Sequence, residues 1–93
     1  MLHDPRKDIE TKASLVAWLA QQDPNGRYVY TRCGSCMLVQ YFVAHGIDAF
    51  VDASHYRIGA GLGEEWHPLP SGWNEIAREH PWTFGGALAR ALA

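Results

Sequence analysis

Between Cys36 and Gly46 runs the segment Met37-Leu38-Val39-Gln40-Tyr41-Phe42-Val43-Ala44, in which Gln40 is the one clearly polar position. A helix that is apolar nearly all round has no face to offer water, so it belongs at the centre of a fold. Gly46 stops it, as glycine commonly does at a helix end. With 93 residues in all, the chain has material for one such centre, and residues 1–93 read as a single domain with no repeat, low-complexity tract or linker.

The flanking segments supply what must cover that helix. Asp8 or Thr11 caps a first helix ending near Gln22. Its Leu15, Trp18, Leu19 and Gln22 fall at i, i+3, i+4 and i+7, and Asp23-Pro24-Asn25-Gly26 stops it. Arg27 to Arg32 forms a short extended approach to the Cys33-Gly34-Ser35-Cys36 turn. Ala49 to Asp52, His55 to Ala60 and Glu65 to Leu69 read as antiparallel strands, with Gly61-Leu62-Gly63 turning between the last two. Gly72 to Glu79 reads as a short helix that Pro81 ends. Thr83 then caps a terminal helix with Phe84, Leu88 and Leu92 at i, i+4 and i+8. The order helix, helix, strands, helices is that of an α+β domain, with the buried helix starting at Cys36 packed on a short antiparallel sheet.

Composition narrows the function classes. Eight Lys and Arg against ten Asp and Glu leave a net charge of −2, and the basic residues gather into no stripe. The electrostatic footprint of a protein that binds nucleic acid directly is therefore missing. Met1 to Glu10 has no apolar stretch of signal-peptide type, and no apolar run approaches the ~20 residues of a membrane span. A soluble, cytoplasmic protein with no membrane partner is the expectation.

Two cysteines make no disulfide framework, so Cys33 and Cys36 point to reactive or metal chemistry or to simple core packing. A thiol at a helix N-terminus is favoured as thiolate by the unpaired N–H groups and the positive end of the dipole. Cys36 is thus a candidate nucleophile, and His55 a candidate base if its strand returns to the helix start. Folding the hairpin about Leu62 sets residue 57 opposite 67 and 55 opposite 69. That register puts His55 and His67 on one sheet face, where His67 could orient His55. Competing readings are a buried structural Cys36, a thioredoxin-type Cys33-x-x-Cys36 pair, and a zinc site from Cys33, Cys36, His55 and His67. The histidine spacing is not that of zinc fingers, and neither metal nor cofactor is expected.

Two resemblances attach to these residues. The run Ser35-Cys36-Met37-Leu38-Val39-Gln40-Tyr41-Phe42 resembles the nucleophile helix of NlpC-type papain-like cysteine peptidases, and Ser54 to Gly63 resembles their catalytic-histidine hairpin. The resemblance implies a reduced papain-like core with Cys36 as nucleophile, His55 as base and His67 as orienting residue. Where that family has an acidic residue before the nucleophile and Ser-Gly after it, this chain has Ser35 and the bulky Met37-Leu38. The chain as a whole, and its Trp82-Thr83-Phe84-Gly85-Gly86-Ala87-Leu88 segment in particular, resembles small proteins of phages and mobile elements. Some of these are anti-CRISPR inhibitors. That resemblance implies a bacterial host cytoplasm and a Cas protein or effector complex as partner.

Two functions follow as expectations. One is an anti-CRISPR-type inhibitor that binds through Trp66 and Trp73, two of the four tryptophans, with Glu64 and Glu65 meeting a basic surface. The alternative is a minimal thiol hydrolase, a cysteine peptidase or amidase, using Cys36, His55 and His67.

Overall fold

A computed structural model describes residues 8–32, 35–58 and 66–93. Helix α1 covers Lys12–Ala20 and α2 Met37–Ala44; strands β1 (Ala49–Val51), β2 (His55–Ile58) and β3 (His67–Pro68) follow, then α3 (Trp73–Arg78) and α4 (Phe84–Leu92). The strands form one antiparallel sheet in the order β1-β2-β3. The architecture is α+β. No helix among the described residues is long and apolar enough to cross a membrane.

Local chemistry sets the helix ends. Thr11 accepts the Ser14 N–H at 3.1 Å, and Thr83 accepts the Gly86 N–H at 3.0 Å, so each hydroxyl satisfies one of the donors a helix start leaves unpaired. At the end of α2 the Gly46 N–H bonds to the Val43 carbonyl and the Ile47 N–H to the Phe42 carbonyl. This is a Schellman closure, and it needs the left-handed φ of +79° that Gly46 adopts.

Helix α2 lies at the centre, with Met37, Leu38, Tyr41 and Phe42 buried. Phe42 stacks on Tyr56 of β2 at a centroid distance of 4.7 Å. Tyr41 meets Trp18 of α1 and Trp73 of α3 edge-on, each at 5.5 Å. The Tyr41 hydroxyl donates to the Ile9 carbonyl at 2.6 Å, so a ring buried in the core still has a partner for its polar end. Gln40 uses its side-chain amide to bond the Ser35 carbonyl at 3.0 Å, which ties the loop before Cys36 to the helix after it.

Helix α4 buries Phe84, Ala87 and Ala91, while Leu92 is 64% exposed. The expected Phe84–Leu88–Leu92 stripe is thus rotated towards the alanines, whose small side chains let α4 close on α1. Close approach continues at the helix start: a Cβ on Gly85 would come within 2.8 Å of the Pro24 carbonyl oxygen. Arg90 secures this helix with three donations, to the carbonyls of Ile76 (2.8 Å) and Pro81 (3.1 Å) and to the Tyr28 hydroxyl (2.9 Å).

The sheet register differs from expectation by one residue. Tyr56 pairs with His67 and His55 with Pro68. Because side chains alternate along a strand, a shift of one residue exchanges faces. The expected turn at Gly61-Leu62-Gly63, and Gly59, Ala60 and Glu65 at the ends of the expected strands, lie outside the described residues.

Candidate functional site

Cys36 is the N-cap residue of α2, extended in backbone, with no capping hydrogen bond from its side chain. It is 7% exposed and forms part of the core. Beside it is a cavity of about 180 Å³ lined by Tyr30, Cys36, Leu38, Val51, Asp52, Ala53 and Asn74. The connection between α1 and α2, the β1–β2 turn, the end of β1 and the helices α2 and α3 converge there, and the Val29 N–H holds the Tyr28–Tyr30 segment to the Ser35 carbonyl at 3.1 Å. The Tyr30 hydroxyl donates to Asn74 Oδ1, closing one wall.

His55 does not line this cavity. It ends the β1–β2 turn, which Asp52 organises: one carboxylate oxygen accepts the Ser54 N–H at 2.8 Å and the His55 N–H at 2.6 Å. These donors, the Ser54 N–H first, hold the Asp52 carboxyl below its ordinary pKa. The His55 Nδ1 atom lies 2.7 Å from the Ser54 hydroxyl oxygen. His67 stands opposite Tyr56 on the face that packs on α2, its ring 5.3 Å from that of Tyr56. His55 and His67 therefore lie on opposite faces of the sheet, and the expected orienting role of His67 is corrected: a register centred one half-residue earlier removes it.

The proposed binding residues divide. Trp66 is 44% exposed, beside Arg57, whose guanidinium carbon lies 5.1 Å from the indole centroid. Trp73 is a correction: at 2% exposure it is a core residue, wedged against Tyr41 and Phe42, and presents nothing to a partner. Glu64 and Glu65 lie outside the described residues, as does Cys33, on which the thioredoxin-type and zinc readings depended. Among the described residues, no group of three or more His, Cys, Asp and Glu is placed to hold a metal ion.

Residues that sequence reasoning passed over are Phe50 and Arg57. Phe50 is 39% exposed and pairs across β1 and β2 with Arg57, whose guanidinium carbon lies 5.4 Å from the phenyl centroid. The alternation Ala49-Phe50-Val51 and Tyr56-Arg57 carries the signal, since Phe50 and Arg57 fall opposite the core-facing positions on their strands. No family model matches the chain, and no curated protein or solved structure matches it.

Proposed function

We propose that this protein is a binding inhibitor of the anti-CRISPR kind, acting in the cytoplasm of a bacterial host on a Cas protein or effector complex. In this reading it is built on a reduced papain-like core whose cysteine helix serves as scaffold. The observation that carries the reading is the outer face of the sheet, where Phe50 and Trp66 expose large aromatic surface on either side of Arg57. Trp and Arg are the residue types that dominate binding energy at protein interfaces, and here they stand side by side on the outer face of the sheet. The separation of His55 from His67 by the sheet supports the same reading, because it removes the orienting member of the expected Cys36, His55 and His67 set.

The resemblance to phage-type proteins supplies the target class, and the interference assay tests it. Stoichiometric protein should block interference by a CRISPR effector. Cys36→Ala should keep that activity, and Trp66→Ala should lose about tenfold or more of it. Loss of inhibition in a Cys36→Ala protein that keeps its melting curve would sink the reading.

The thiol-hydrolase alternative draws on one observation, the cavity that joins Cys36 to Asp52 and Asn74. It requires catalysis at substoichiometric dose that vanishes in Cys36→Ala, since removing an activated nucleophile costs orders of magnitude in rate.

A further inference from the structure

The two arginines that lie partly within the fold are used in opposite ways. Arg90 gives all three of its nitrogens to acceptors inside the protein. Arg57, in the central strand, is flanked by Phe50 at 5.4 Å and Trp66 at 5.1 Å, and its Nε is buried without an acceptor among the described residues. Continuing the β2–β3 register by one residue sets Trp66, just before β3, opposite Arg57, so Phe50, Arg57 and Trp66 form one row on this face. The guanidinium is thus held by its faces against aromatic rings, and its hydrogen-bonding edge is satisfied by none of them.

We propose that this row is a receptor for a single carboxylate, a glutamate or aspartate side chain of the partner protein, taken end-on by the two terminal nitrogens of Arg57 between Phe50 and Trp66. The proposal rests on the reading of the chain as a binding protein and names the partner chemistry of that surface. A carboxylate fits for three reasons. Its two oxygens match the parallel N–H donors on one guanidinium edge, a charge-assisted bidentate geometry that Lys cannot reproduce. With Nε enclosed, the terminal nitrogens are the part of the guanidinium left open, and a carboxylate gives those two donors acceptors that a neutral apolar contact would not. The flanks are also selective: Asp48 and Asp52 bracket β1 at its two ends, so a nucleic-acid backbone with its closely spaced charges meets repulsion there, whereas one carboxylate is drawn to Arg57 alone.

The test follows the Arg57 Nε–H resonance of the full chain by NMR, identified by its disappearance in Arg57→Lys. The probes are N-acetyl-glutamate N-methylamide, its glutamine counterpart and inorganic phosphate. The glutamate compound should shift the resonance saturably, the glutamine compound should not, and phosphate should act more weakly. Phe50→Leu, which keeps Arg57 and a core-compatible side chain, should weaken the glutamate response severalfold. An equal response to glutamine, a stronger one to phosphate, or none to glutamate at its solubility limit overturns the proposal. The interference assay separates this inference from the reading beneath it. If the wild type inhibits and a folded Arg57→Gln inhibits equally, the carboxylate receptor is wrong and the inhibitor reading stands. If the resonance responds to glutamate but the wild type inhibits no effector, the inhibitor reading is wrong and the receptor stands.

Discussion

Tyr56 stands directly opposite His67, ring centroids 5.3 Å apart, and this pairing turns His55 to the outer face of the sheet. Tyr56 also stacks on Phe42 and donates its hydroxyl to Glu10, so one side chain links the sheet, the central helix and the segment before α1. Register is therefore fixed by the core, and the outer face inherits whatever residues alternate with it.

Phe42 is fully buried between Tyr41, Tyr56 and Trp73. Phe42→Ala should cost ~3–5 kcal/mol, from lost transfer energy and the cavity left behind. For a small domain that is a large share of total stability, and urea denaturation reads it directly. An unchanged midpoint would remove α2 from the centre of the fold.

The Tyr28 hydroxyl donates to the Ala77 carbonyl at 2.7 Å and accepts from Arg90. Tyr28→Phe should cost about 1–2 kcal/mol near neutral pH. Burial raises the Tyr28 pKa above its ordinary value of 10.0, against the opposing charge of Arg90. A raised folded pKa means that the stabilisation is complete below about pH 10 and is lost above it, as pH rises through the raised folded value. Tyr41, also raised by burial, contributes with the same sign. Stability of the wild type should therefore fall on alkaline titration, and more steeply than that of Tyr28→Phe.

Asp52 behaves in the opposite sense. Its folded carboxyl lies below the ordinary 3.8, so its contribution is present above that value and is lost as pH falls through the lowered one. Asp52→Asn should flatten the acid limb of a stability–pH curve. Because the side chain is exposed, the loss near neutral pH should stay below about 1 kcal/mol. Acid limbs of equal slope in the two proteins would show that the Ser54 and His55 N–H groups do not hold the charge.

With 7% exposure, Cys36 should react sluggishly with iodoacetamide in a Cys33→Ser background, more slowly than a free thiol at the same pH. Rapid alkylation well below pH 8 would favour the hydrolase alternative instead.

What could be read from the chain alone is what local chemistry decides. The apolar run of α2, broken by Gln40, placed the helix in the core through Met37, Leu38, Tyr41 and Phe42, but the expected burial all round does not hold, since Val43 is 56% exposed; the hydroxyls of Thr11 and Thr83 marked helix starts that their hydrogen bonds bear out. Features set by packing across the fold were not legible. Counting outward from Leu62 placed His55 and His67 together, whereas the fit of Tyr56 against Phe42 selects a register one step away. Leu92 matched the apolar spacing of α4, but Ala87 and Ala91 face α1 because closeness there outweighs side-chain size. By type Trp73 suits a core more readily than an interface, its place in the sequence beside the site argued for an anchor, and its position against Tyr41 decides for the core.

The three donations of Arg90 also bear on the order of assembly during synthesis. Its partner Tyr28 lies 62 residues earlier in the chain, and Ile76 and Pro81 belong to segments made just before it. A nascent chain that has emerged only as far as α3 has Tyr28 and α1 exposed and uncovered by α4. Closure is consequently a late, non-local event, of the kind that slows folding and lengthens exposure to proteases. Ribosome-stalled chains ending before Phe84 should be cleaved within residues 12–32 under conditions where chains with α4 fully emerged resist.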